Sequence, residues 1–174
     1  VASRTSASLT LFENRSTPGR LELVAQPLPL AGPVEALTLG DVDGDGRLDI
    51  VATGQWPNGG VTVWVHTGAG AFDRYKFPTT RDPRQICLAD LSGDGRPDLV
   101  TVNNDAGSIS VYRNRSEPGT PAFDERHDFA IPGLLPNDPI CVAAGDLDGD
   151  GRTDLAVGHY YSGFVTLLHN RSTR

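Results

Sequence analysis

Three nine-residue stretches limit what this chain can fold into. They read Asp41-Val-Asp43-Gly-Asp45-Gly-Arg47-Leu-Asp49, Asp90-Leu-Ser92-Gly-Asp94-Gly-Arg96-Pro-Asp98 and Asp146-Leu-Asp148-Gly-Asp150-Gly-Arg152-Thr-Asp154, and they hold half of the 22 acidic residues. Three or four carboxylates within nine residues repel one another unless a cation shares the space. Three divalent ions would nearly cancel the net charge of −7. Oxygen donors at positions 1, 3, 5 and 9, with the carbonyl of position 7 (Arg47, Arg96, Arg152), can wrap one hard ion. Glycines at positions 4 and 6 allow the positive φ that such wrapping needs. No cysteine or histidine lies inside the stretches, which disfavours zinc and copper. Magnesium dehydrates reluctantly and takes few protein ligands, so calcium fits best. A helix–loop–helix calcium site would need a glutamate at position 12, where Ala52, Thr101 and Val157 stand. The runs that follow (Leu48-Asp-Ile-Val-Ala, Pro97-Asp-Leu-Val-Thr-Val, Thr153-Asp-Leu-Ala-Val) are β-rich, so each loop joins two strands.

The loops recur 49 and then 56 residues apart, a period in the range of propeller blades. In each unit an apolar strand enters the loop and a second leaves it. An alternating third strand follows (Val61-Thr-Val-Trp-Val, Ile109-Ser-Val-Tyr-Arg, Val165-Thr-Leu-Leu-His), and a polar fourth strand closes the unit (Phe72–Phe77, Phe123–Phe129). Twenty glycines and thirteen prolines suit many short strands joined by turns. The fold class expected is all-β: blades of four antiparallel strands, about thirteen strands in all, with the first strands lining an axis and the fourth facing water. One propeller region over 1–174 divides into repeats at 8–60, 61–108 and 109–163 and a final strand at 164–170. Ser8–Gly19 matches Ser108–Gly119, so the first repeat is entered partway through. Three loop units fall short of the four to eight blades of a closed propeller. Self-association, or further blades from a longer chain, is expected to complete the ring.

The loop at 146–154, preceded by Ala-Ala-Gly and followed by Leu-Ala-Val-Gly, resembles the FG-GAP/VCBS repeat, and the other two loops match similarly. The resemblance covers nearly the whole chain. It implies an integrin-α-like β-propeller, usually of seven blades, with calcium held between first and second strands by positions 1, 3, 5 and 9. The paired Phe-Gly and Gly-Ala-Pro signatures of integrin blades are missing, so the likeness is to the bacterial VCBS form. Ser92 stands where an acid is usual, which makes the middle of three calcium sites the weakest expected.

Outside the loops the strongest candidates lie in the turns at the opposite end of each unit. These are Trp56, Pro57 and Asn58, then Asn103, Asn104 and Asp105, then His159, Tyr160 and Tyr161. Arg81, Asp82, Arg84, Asn137 and Asp138 lie in the neighbouring connections. Aromatic rings beside amides and charges suit a sugar face or a protein partner, and equally suit packing on the next blade. Trp64 has Phe12, Tyr112 and Leu168 as counterparts and is expected in a core between blades. Cys87 and Cys141 lie on first strands of different blades, too far apart for a disulfide, and are expected as buried free thiols. The three Asn-Arg-Ser sequences (14–16, 114–116, 170–172) have the form of glycosylation sites, but recurrence at one blade position favours a shared turn.

Net acidity, with no basic stripe, argues against a nucleic-acid partner, and no apolar run is long enough to span a membrane. There is no Gly-x-Ser-x-Gly elbow, phosphate loop or His-Glu-x-x-His pair, so no enzyme activity is expected. The reading that follows is a calcium-stabilised module, extracellular or on the cell surface, that recognises a protein or glycan on the face opposite the calcium loops. Adhesion is what the resemblance implies. A lectin-like propeller and an accessory domain of a secreted enzyme are the alternatives.

Overall fold

A computed structural model describes residues 8–29, 33–54, 60–131 and 139–172. Among these residues there are thirteen strands and no helix, hence no helix long and apolar enough to cross a membrane. Strands β1 (Ser8–Asn14) and β2 (Leu23–Pro29) form a hairpin. Strands β3 (Val34–Gly40), β4 (Asp49–Gly54), β5 (Val61–Gly68) and β6 (Ala71–Phe77) form one antiparallel sheet. The second sheet holds β7 (Pro83–Ala89), β8 (Asp98–Asn103), β9 (Ser108–Tyr112) and β10 (His127–Ala130). The third holds β11 (Pro139–Gly145), β12 (Asp154–His159) and β13 (Val165–Leu168). Within each sheet every strand pairs with its neighbour in sequence, so the sheets are simple meanders, as propeller blades are. The hydrogen-bonded blades are phased differently from the repeats read in the sequence. Repeat boundaries at 60/61 and 163/164 fall between second and third strands, and 108/109 falls at the first residue of a third strand, β9, so all three lie inside the sheets.

Burial follows the order of strands within a blade. The second strands β4 and β8 are buried almost throughout, because both faces of a blade are covered by neighbours. A strand covered on both sides must be apolar at successive positions, which Ile50-Val51-Ala52 and Leu99-Val100 satisfy. β10 is exposed along its length and β6 alternates, as outer strands facing water do. The first strands lie side by side, β3 against β7 and β7 against β11.

The core is three layers between sheets rather than one centre. Leu9, Val34, Ile50, Ala52 and Trp64 fill the layer between the hairpin and blade 1. Val51, Val61, Val63, Ile86, Leu99 and Tyr112 fill the layer between blades 1 and 2. Val100, Ile109, Val142, Leu155 and Val157 fill the layer between blades 2 and 3. Trp64 is only 6% exposed and pairs across strands with Ile50, as Tyr112 pairs with Leu99 and Leu168 with Leu155. The aromatic at this position therefore packs between blades, as its repeat alignment predicts.

Both cysteines are free thiols, but only one is sheltered. Cys87 packs into the layer between blades 2 and 3, and burial pushes its thiol up to about 11. Cys141 is exposed, contrary to the expectation of burial. It pairs with Gly158 on the flank of blade 3 turned away from blade 2, and no described sheet covers that flank.

Candidate metal centres

Each acidic loop connects the first and second strands of its blade, and its backbone folds around its first aspartate. In loop 1 the Asp41 carboxylate accepts from the amides of Gly44 (2.8 Å), Asp45 (3.1 Å) and Gly46 (2.9 Å). Asp90 accepts from Gly93, Asp94 and Gly95 in the same way, and Asp146 from Gly149 and Gly151. This wrap turns the chain through left-handed backbone at both loop glycines (Gly44 φ 77°, Gly46 φ 87°), which explains glycine at positions 4 and 6.

The ninth aspartate sits beneath the loop. Asp49 accepts from Val42 N (2.8 Å) and, across the sheet, from His66 N (2.9 Å). Asp98 does the same with Leu91, Ser92 and Asn114, and Asp154 with Leu147 and Asn170. All three are almost completely buried. Burial pushes the Asp49 carboxyl above its ordinary value despite the His66 and Val42 amides. For Asp154 the Asn170 and Leu147 amides prevail and hold the carboxyl low. Desolvation outweighs the amides at Asp49, where the Asp43 charge adds a smaller push in the same direction, and is outweighed by them at Asp154.

The fifth aspartate is held by arginine in every loop. Arg47 contacts Asp45, and its Nε donates to His66 O (2.8 Å); Arg152 contacts Asp150, and its Nε donates to Asn170 O (2.8 Å). In loop 2 the arginine comes from β9's end instead, with Arg113 3.3 Å from Asp94. The loops thus answer part of their own charge with amides and guanidinium groups.

Loop 1 gathers carboxylate oxygens of Asp41, Asp43 and Asp45 within 4.8 Å of one another, and loop 3 gathers those of Asp146, Asp148 and Asp150. Ligands about 2.3–2.6 Å from calcium on opposite sides stand roughly 4.6–5.2 Å apart, so both groups fit that ion. Carboxylate oxygens that accept amide hydrogens keep lone pairs for a cation. Loop 2 offers Asp90 and Asp94 with the hydroxyl of Ser92 at the position between them, and among the described residues no third carboxylate joins that group. The carbonyls of Arg47, Arg96 and Arg152 lie in the loops at position 7.

Sequence reasoning missed two contributors. His169, on the residue after β13, places Nδ1 3.3 Å from Asp148 and 3.6 Å from Asp154, which adds a nitrogen donor beside loop 3. Its counterparts are Val65 and Arg113, so nothing in the repeat marked it. The second is Asn114, whose amide reaches Val42 O of the preceding blade's loop at 2.9 Å. The recurring Asn-Arg-Ser triplet was the available signal, and the shared turn it predicts is present: Asn14, Asn114 and Asn170 each accept from the serine amide two residues on.

At the opposite end the candidates separate. Trp56 and Asn58 lie outside the described residues, as do Pro57, Asn137 and Asp138. Asn103 is fully buried and bonds Ser108 and Ser110; Asn104 is buried and donates to Pro139 O. Their side chains are used inside the fold. His159 is half-buried, bonds Thr166 and stacks at a tilt on Phe164. Arg84 joins Asp82 to Glu35 of blade 1. Tyr160 and Tyr161 are 67% and 71% exposed and meet edge to face at 4.8 Å, forming an aromatic pair in water.

Meander blades with an Asp-x-Asp-x-Asp-Gly-x-x-Asp loop between first and second strands, with Ser92 at the third position in the middle loop, define a section of an acidic-loop β-propeller. The chain belongs to the FG-GAP-like repeat family, whose model matches residues 41–101 and 90–157. Each match takes in two consecutive loops. The chain is similar to integrin alpha-4 of Xenopus laevis, at 26% identity over 156 residues; the alignment covers 78% of this chain, which spans 15% of that protein's length.

Proposed function

We propose that this chain is a calcium-binding section of an extracellular or cell-surface β-propeller whose work is adhesive recognition of a protein partner. The observation that carries the reading is the mutual approach of Asp41, Asp43 and Asp45, repeated by Asp146, Asp148 and Asp150. Asp49, Asp98 and Asp154, with the carbonyls of Arg47, Arg96 and Arg152, complete each oxygen shell, and Asp90, Ser92 and Asp94 form a weaker third. Calcium would supply charge neutralisation and fix the angle at which second strands leave the loops. Similarity to an integrin alpha chain favours a protein partner and a location outside the cell. Blade 3's uncovered flank, with Val165 and Leu167 exposed, is where a further blade or a second copy packs.

The exposed Tyr160–Tyr161 pair supports a second reading, a glycan ligand, because aromatic faces stack on sugar rings. A glycan array and a binding screen against cell-surface ectodomains, each run with calcium and with chelator, decide between them. Calcium-dependent capture of ectodomains with a blank array supports adhesion. The reverse supports the lectin reading, and calcium-independent results in both overturn the proposal.

A further inference from the structure

The loops are connected to one another through two asparagines. Asn114 is fully buried, and both polar atoms of its side chain have partners. Its Nδ2 donates to Val42 O of loop 1 (2.9 Å) and to Pro97 O of loop 2 (2.9 Å), while its backbone amide donates to the ninth aspartate of loop 2, Asp98 (2.8 Å). Five residues on, Gly119 N donates to Oδ2 of Asp43, the third-position carboxylate of loop 1, at 2.6 Å. Asn170 repeats the arrangement one blade later. Its Nδ2 donates to Leu91 O of loop 2 (2.7 Å) and Thr153 O of loop 3 (3.1 Å), and its backbone amide donates to Asp154 (2.8 Å). The contacted carbonyl belongs each time to position 2, between the first and third ligand positions. Asn14 has the same turn, bonded to Ser16, but is exposed and has no described loop before it.

We infer that Asn114 and Asn170 are positioning residues that couple adjacent metal loops: the asparagine of one blade fixes the ligand spacing of the loop in the blade before it. The inference rests on the calcium reading above. A side chain that orients ligands without touching the metal typically changes affinity roughly 10–100-fold on removal. Coupling of this kind is reciprocal, so calcium in loop 1 must in turn hold Asn114 and the Gly119 amide in place.

The test follows the glycine amides of the three loops (Gly44 and Gly46, Gly93 and Gly95, Gly149 and Gly151) by NMR during calcium titration. Asn114→Ala is expected to weaken loop 1 about tenfold or more and to leave loop 3 unchanged. Asn170→Ala is expected to weaken loop 2 and leave loop 1 unchanged. Asn14→Ala removes the turn without the clamp and is expected to alter no loop. If Asn114→Ala does not fold, Asn170→Ala read against loop 1 carries the same comparison. Hydrogen exchange at Gly119 N is expected to slow when calcium is added to the wild type. Loop midpoints that stay unchanged in both clamp variants, or that shift equally in Asn14→Ala, overturn the coupling alone. Loop amides that never respond to calcium in the wild type overturn the metal reading, and the coupling with it.

Discussion

Phe77 and Phe123 meet edge to face, with ring centroids 4.9 Å apart and planes at 86°. Phe77 ends the outer strand of blade 1, and Phe123 comes from the connection that follows β9 in blade 2. Tyr112 stands at 76° to Phe123 and donates its hydroxyl to Pro78 O at 2.8 Å. One aromatic wedge thus seals the outer seam between blades. Phe129, the counterpart of Phe77, is 52% exposed and borders a groove of about 580 Å³ lined also by Leu91, Ile109, Val111, Leu155 and Leu168.

Truncating the seam should cost stability without touching metal. Phe123→Ala removes a partly buried aromatic from the seam, and Trp64→Ala a buried one from the layer between the hairpin and blade 1. Loss of a fully buried aromatic typically costs about 3–5 kcal/mol. Trp64, at 6% exposure, should lie toward the upper end. Urea unfolding measures both. A loss below about 1 kcal/mol for Trp64→Ala would place that layer outside the stabilising core.

Ser92 should set the order of the three sites. Loop 2 has fewer carboxylates than its neighbours, and calcium affinity rises with ligand charge. Ser92→Asp should tighten the weakest site toward the others in a calcium titration. No gain in that variant would mean that Arg113, 3.3 Å from Asp94, limits the site instead.

The two thiols should differ in reactivity by orders of magnitude. The thiolate is the nucleophile, and burial keeps the Cys87 thiol protonated until the pH nears about 11. Iodoacetamide at pH 8 should spare Cys87 in the native protein and label Cys141 wherever no further blade or second copy covers blade 3's flank, as peptide mass spectrometry can check. Equal labelling would mean that the layer between blades 2 and 3 opens readily.

The exposed tyrosines should matter to recognition and not to metal. Tyr160→Ala and Tyr161→Ala are expected to weaken capture of whatever ectodomain or glycan the screens return, with calcium affinity unchanged, because the pair lies a strand's length from loop 3. Normal capture by the double variant would move recognition elsewhere on the surface.

Much of this arrangement was legible in the sequence because the constraint repeats. Aspartates at fixed positions, with Trp64, Tyr112 and Leu168 in register, placed strands and loops together. What lay hidden depends on which blade a side chain reaches. Asn114 looked like a turn residue, and it is one, but its second bond crosses to a loop 72 positions away. His169 sat outside every motif and was brought to Asp148 by strand pairing. Asn103 and Asn104 looked like surface amides because a polar pair in a turn says nothing of the neighbouring strand that buries it. Alternation correctly put Cys141 and Cys87 on comparable faces, but only the presence of a following blade buries one of them.

Calcium titration of chelator-treated protein by calorimetry, paired with thermal melts, tests the central claim most directly. Saturable binding at two or more sites near 10⁻⁴–10⁻³ M, as roughly expected of extracellular calcium modules, should come with a melting temperature that falls in chelator and recovers with calcium more fully than with magnesium. Heats indistinguishable from dilution, together with one melting curve in chelator and in calcium, would contradict it.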